Sequence, residues 1–89
     1  PQRRVVMWFS AQVHVTLKPT VNDPQGNAVL GSLHMLGFGS VSAVRVGKYL
    51  TLALEANDEQ EAGRQVDAMC ERLLANTVIE SYEASISLA

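Results

Sequence analysis

Twice along this chain, a stretch that alternates apolar with polar residues gives way to one whose apolar residues recur every three or four positions. Alternation marks a half-buried strand; the longer period marks a helix packed along one side. Ala11, Val13, Val15 and Leu17 interleave with Gln12, His14, Thr16 and Lys18, so Trp8 to Lys18 is predicted as a strand that Pro19 ends. Asp23-Pro24 then signals a helix start. Asp23 can cap free backbone N–H groups, and Pro24 suits the first helical position, where no N–H bond is required. Val29, Leu33 and Leu36, widened by Leu30, form the apolar stripe, and Gly37 is the stop.

The second half repeats the scheme. Val41 to Val46 reads as a strand, Gly47-Lys48 as a tight turn, and Leu50, Leu52 and Leu54 as the inward face of a third strand. Asp58 with Glu61 has the spacing of a capping box. The helix that follows should bury Ala62, Val66, Met69 and Leu73 and stop at Asn76. Tyr82, Ala84, Ile86 and Leu88 give a fourth strand. The order is β-α-β-β-α-β. With right-handed crossovers this predicts an α+β, ferredoxin-like sandwich: a four-stranded antiparallel sheet with both helices on one face. Residues 11–89 are expected as one domain. Residues 1–10 are expected as an N-terminal extension; Met7 is a candidate initiator, which would make residues 1–6 either partly non-native or an upstream extension.

Composition narrows the partners. Seven Lys and Arg face nine Asp and Glu, for a net charge of −2, and two of the seven are Arg3 and Arg4. No basic field attracts a nucleic-acid backbone or an anionic membrane. No apolar run approaches a membrane span. Cys70 is the single cysteine, which excludes an intrachain disulfide and fits a reducing cytoplasm. A charged fraction of only 18% in so small a domain suggests that part of its surface is covered by another chain.

Candidate chemistry is sparse. His14 and His34 fall on different elements and, with one cysteine elsewhere, make no metal-ligand set. Cys70 lies beside a helical apolar stripe with no base to activate it, so a buried inert thiol is expected. Gly37-Phe38-Gly39 follows a helix rather than a strand and lacks the third glycine of a phosphate loop. The helix start at Asp23, Pro24, Gln25 and Gly26 suits ordinary capping, although such a terminus can also receive an anion. Arg45 and Lys48 flank the predicted turn and can meet phosphate, a partner carboxylate or water. Asn76 and Glu80 mark the junction before the last strand, at a position suited to a subunit contact.

Several segments, in order, carry a family resemblance. Val15-Thr16-Leu17-Lys18-Pro19 leads into Asp23-Pro24-Gln25-Gly26-Asn27-Ala28-Val29. Then come Leu36-Gly37, Val44-Arg45-Val46-Gly47-Lys48, and the run Leu73-Leu74-Ala75-Asn76-Thr77-Val78-Ile79-Glu80-Ser81-Tyr82. From about residue 11 to residue 86 the sequence resembles the PurS family, the small subunit of phosphoribosylformylglycinamidine (FGAM) synthase. It departs from the family pattern at Thr77, where proline is usual, and at Thr20-Val21-Asn22, where a glycine is common. The resemblance implies a non-catalytic subunit in purine biosynthesis, with no cofactor of its own. Its implied partners are a large synthetase subunit of PurL type that uses ATP and Mg, a glutaminase subunit of PurQ type, and itself as a homodimer or tetramer. The chain would bridge the two larger subunits and support ammonia transfer. Because the resemblance concentrates in polar segments, the expected partner contacts are Asp23, Pro24, Gln25, Gly26, Arg45, Lys48, Asn76 and Glu80. A rival from another class is a free-standing small-molecule sensor similar to ACT regulatory domains, which would bind its ligand without partners.

Overall fold

A computed structural model describes residues 6–89; expectations for residues 1–5 lie outside it. In chain order the elements are β1 (Met7–Leu17), α1 (Pro24–Met35), β2 (Gly47–Ala56), α2 (Glu59–Met69), a π-helical turn (Cys70–Leu74) and β3 (Glu80–Leu88). The sheet is antiparallel, in the order β2-β1-β3. Thr16 pairs with Gly47 and Leu17 with Glu80. β1 and β2 are therefore a hairpin whose connection is the whole segment 18–46.

β1 is the central strand, and its alternation is realised as read: Phe9, Ala11, Val13 and Val15 are buried while His14 and Thr16 are exposed. The strand already begins at Met7. That is one residue before the expected Trp8, and residues 7–10 form the first third of the strand, with Phe9 opposite Leu54 and Leu88. Ala62 and Val66 of α2, then Cys70 and Ala75, close the core above this face. α2 starts as its capping spacing dictates. Asp58 Oδ1 accepts from the Glu61 N–H at 2.7 Å, and Glu61 Oε2 accepts from the Asn57 N–H at 3.1 Å.

Three expectations require correction. The sheet has three strands among the described residues, not four. Segment 41–46 joins no strand, because its polar groups are engaged locally: His34 Nε2 donates to the Val41 carbonyl at 2.7 Å and the Val46 N–H goes to Asp23. The two helices do not share a face of the sheet. α2 lies across it, whereas α1 makes no extended contact with any strand or with α2. The α1 stripe is consequently uncovered: Leu36 is 74% exposed and Val29 41%. Finally, Leu73 is not buried. The π-helical turn shifts the phase after Met69, so Cys70 enters the core and Leu73 points out at 81% exposure.

The resulting protomer is long, 66 × 26 × 14 Å, with a radius of gyration of 17.9 Å. A compact chain of this length would have about 12 Å. Among the described residues no helix is long and apolar enough to cross a membrane.

Candidate functional site

The eight residues singled out in the sequence gather at one end of the sheet, where β1 ends and both of its neighbours begin. Lys18 links them. Its N–H donates to the Ile79 carbonyl at 2.9 Å, and its own carbonyl accepts from Arg45 Nη2 at 3.0 Å.

On one side is the root of α1. Asp23, 4% exposed, caps the helix through Oδ1, which accepts from the Gly26 N–H at 2.9 Å. Its Oδ2 accepts from the Val46 N–H at 2.8 Å, so one carboxylate ties the start of α1 to the strand that follows the helix. The hydrogen bonds from Val46 and Gly26, with Arg45 nearby, hold the Asp23 carboxyl below its ordinary acidity range, against the opposing effect of burial. Pro24 takes the first helical position. Gly26 is required by space: a Cβ there would run into the Val44 carbonyl and the Asp23 carboxylate. Arg45 Nη2 also donates to the Val21 carbonyl at 3.0 Å, fastening the loop before the helix. Gln25 lies exposed on the first turn.

On the other side is the junction before β3. Lys48 Nζ donates to the Leu74 carbonyl at 3.0 Å and lies 3.9 Å from Glu80 Oε1. The same Glu80 oxygen accepts from the Asn76 N–H at 2.7 Å, and Asn76 Oδ1 accepts from the Val78 N–H at 3.2 Å. Thr77, at the position where the family pattern carries proline, sits within this turn. The cations and carboxylates that sequence offered as partner contacts are thus engaged first in holding the loops of their own chain.

The sequence reading missed two apolar surfaces. One is a groove of about 460 Å³ between β2 and the end of α2, lined by Leu52, Ala68, Met69, Arg72, Leu73 and Leu74. The other is the outer side of α1 and the turn after it, where Met35 is 90% exposed and Phe38 56%. The low charged fraction was their only signal in the sequence. The helical period marks Leu73 and Leu36 as apolar but assigns both to the chain's own core.

Elsewhere the groups are quiet. Cys70 is buried, and burial first, then the charges of Asp67 and Glu71, push its thiol pKa up, away from nucleophilic reactivity. The Tyr82 hydroxyl donates to Glu71 Oε1 at 2.9 Å, a bond that is the main cause of its pKa being pushed up to about 12. On the open face of the sheet His14 stacks on Tyr49 with ring centroids 4.5 Å apart. Among the described residues no group of three or more His, Cys, Asp or Glu side chains is placed to hold a metal ion. This arrangement can orient loops and present surfaces; no nucleophile in it is paired with a base.

The family model for PurS, phosphoribosylformylglycinamidine (FGAM) synthase, matches residues 10–88. The PurS subunit of the synthase from Synechocystis is 54% identical over 74 residues, covering 83% of this chain and 74% of that protein. The Bacillus subtilis PurS subunit is 45% identical over 78 residues, 88% and 92% of the two chains. Among solved structures, Thermotoga maritima PurS superposes with a TM-score of 0.84 at 30% identity, over 93% of this chain and 95% of that one. A chain of the Thermotoga maritima PurLQS assembly gives 0.83 at 31% identity, over 90% and 98%.

Proposed function

This chain belongs to the PurS family of FGAM synthase subunits, and from that premise we propose that it acts as a non-catalytic connector between the other two subunits of the enzyme. FGAM synthase is a ligase of purine biosynthesis, and the chain is its small subunit. In this reading a large synthetase subunit uses ATP and Mg to activate the amide of formylglycinamide ribonucleotide, and a glutaminase subunit releases ammonia. The small subunit holds the two together, in the cytoplasm, so that ammonia passes between them, and binds no cofactor itself.

The family match over nearly the whole chain carries the reading. Two structural features support the details. The family-like segments meet at one end of the sheet, in loops fixed by Asp23, Arg45, Lys48 and Glu80, which makes a preorganised surface. The extended shape and uncovered apolar surface support self-association as a homodimer or a dimer of dimers.

Arg45→Ala and Glu80→Ala test the connector. Each releases a loop at the docking end without touching the core. Glutamine-dependent turnover should fall several-fold more than turnover supplied with free ammonia, in step with weaker co-elution of the three subunits. Both variants co-eluting normally and keeping full glutamine-dependent turnover would remove these residues from the docking surface.

A further inference from the structure

β3 closes one side of the sheet, and its outer edge is a row of backbone groups with nothing to bond. We infer that this edge pairs with the same edge of a second copy, antiparallel across a two-fold axis beside Ala84, so that two three-stranded sheets become one. The proposal rests on the self-association reading and gives it a surface separate from the two apolar ones described above.

The register of the ladder decides which groups are free. The Ala89 N–H donates to the Trp8 carbonyl at 3.0 Å and the Lys18 N–H to the Ile79 carbonyl at 2.9 Å. These bonds frame the pairing of β1 with β3 at its two ends. In an antiparallel pair, positions that bond the neighbour alternate with positions that do not. Ser81, Glu83, Ser85 and Ser87 therefore spend their N–H and C=O groups on β1. Tyr82, Ala84, Ile86 and Leu88 aim theirs away from the sheet, and among the described residues none of those N–H groups has a partner. Nor does the edge carry the usual protection. From Glu80 to Leu88, β3 has no Lys, Arg, Pro or Gly, and it pairs with β1 without a bulge. A long, regular edge of this kind is a template for another strand.

Self-complementarity selects a second copy as the occupant. With the axis beside Ala84, the outward groups of one strand meet those of the other, and Tyr82 lies opposite Ile86 of the second copy. An aromatic and a β-branched side chain on one face make a favourable cross-strand pair, and the symmetry makes it twice. On the other face Glu83 lies opposite Ser85 of the second copy, so its carboxylate meets a hydroxyl. An axis at Glu83 would instead set two carboxylates against each other. Ala84 is on the side of the sheet that α2 covers, yet it is exposed. The helix layer leaves the edge uncovered there, and an alanine at the axis lets two backbones approach.

Ala84→Pro tests the pairing. Proline at an outward position removes no bond to β1, so the fold should persist, which circular dichroism verifies. It deletes the two hydrogen bonds that flank the axis, and association in sedimentation equilibrium should weaken roughly tenfold or more. Ser85→Lys, on the open face, keeps the pairing testable should proline disturb the strand. It sets a cation opposite Glu83 of the second copy, and association should tighten several-fold at low salt. Amide exchange reads the edge itself: the Ala84 and Ile86 N–H groups should exchange slowly in associated wild-type chain and fast on dilution to single chains. Wild-type chain that stays monomeric at micromolar concentration overturns the self-association reading and the edge pairing with it. Wild-type chain that associates while these amides exchange fast, or no more tightly than Ala84→Pro, overturns the edge pairing alone. Association weakened by Ser85→Lys overturns the register, because an axis at Ser85 is what would set the two new cations against each other. Amides that slow only when the synthetase subunit is added assign the edge to that subunit and overturn its pairing with a second copy.

Discussion

Asp23 holds the start of α1 at the end of the sheet where β1 stops. A carboxylate has enough acceptor sites to take both the Gly26 and the Val46 N–H, and it is 4% exposed, so removing it strands two donors with little access to water. Asp23→Ala should lower the melting temperature by several degrees. Asp23→Asn should do so less, since an amide oxygen serves one donor while its NH2 opposes the other. The pH dependence follows from the lowered acidity. A carboxyl whose folded pKa lies below its unfolded value, about 3.9, contributes stability that is complete above that value and is lost as pH falls through the folded pKa. Wild-type stability should therefore drop below about pH 4, and Asp23→Asn should flatten that limb in urea titrations across acid pH. An identical acid limb in both proteins would mean that other carboxylates control it. Gly26 belongs to the same device, because the close approach of Val44 leaves no room for a Cβ.

At the level of elements, what sequence revealed and what it hid divide by the range of the interaction. Strand alternation in β1, the Asp23-Pro24 start of α1, its glycine stop at Gly37 with φ +97°, and the Asp58–Glu61 cap are settled within a few residues, and each was readable. The strand expected at Val41–Val46 was not realised because a strand needs a neighbour, and the chain gives these residues to His34 and Asp23 instead. Leu73 was misplaced because periodicity assumes an unbroken α-helix, and the π-helical turn breaks the phase. The candidate residues were legible as a set because they carry the family pattern, but their internal bonds across 23 to 27 residues were not. The start of β1 at Met7 lies one residue before the expected Trp8. Phe9 is 2% exposed at the heart of the sheet. Phe9→Ala should cost about 3–5 kcal/mol in urea unfolding, the usual range for a buried Phe. That is a large share of the 5–15 kcal/mol available to a small domain. A loss below about 1 kcal/mol would mean that residues 7–10 are not part of the folded strand.

At the scale of the whole molecule, a single chain is extended and leaves apolar surface uncovered. Its radius of gyration, 17.9 Å, is half as large again as the roughly 12 Å of a compact chain. Among the described residues, ten buried apolar ones make up its core, and one helix lies outside it. A 60-residue domain buries only about 60% of the surface its unfolded chain exposes; a chain of this size that keeps a helix off the sheet buries less than its length allows. In the proposed self-association, stability is shared between chains, and association responds to concentration. For a dimer that unfolds to two chains, a hundredfold rise in protein concentration adds RT ln 100, about 2.7 kcal/mol per dimer. Unfolding entropy is about 2.1 cal/mol/K per residue, summed over two 89-residue chains. The melting temperature should therefore rise by roughly 7 °C over that range, as calorimetry at 2 and 200 μM would record (roughly micromolar limits chosen to span the hundredfold). A wild-type melting temperature that does not move with concentration would mean that the three-stranded sheet and α2 hold the chain together without a second copy.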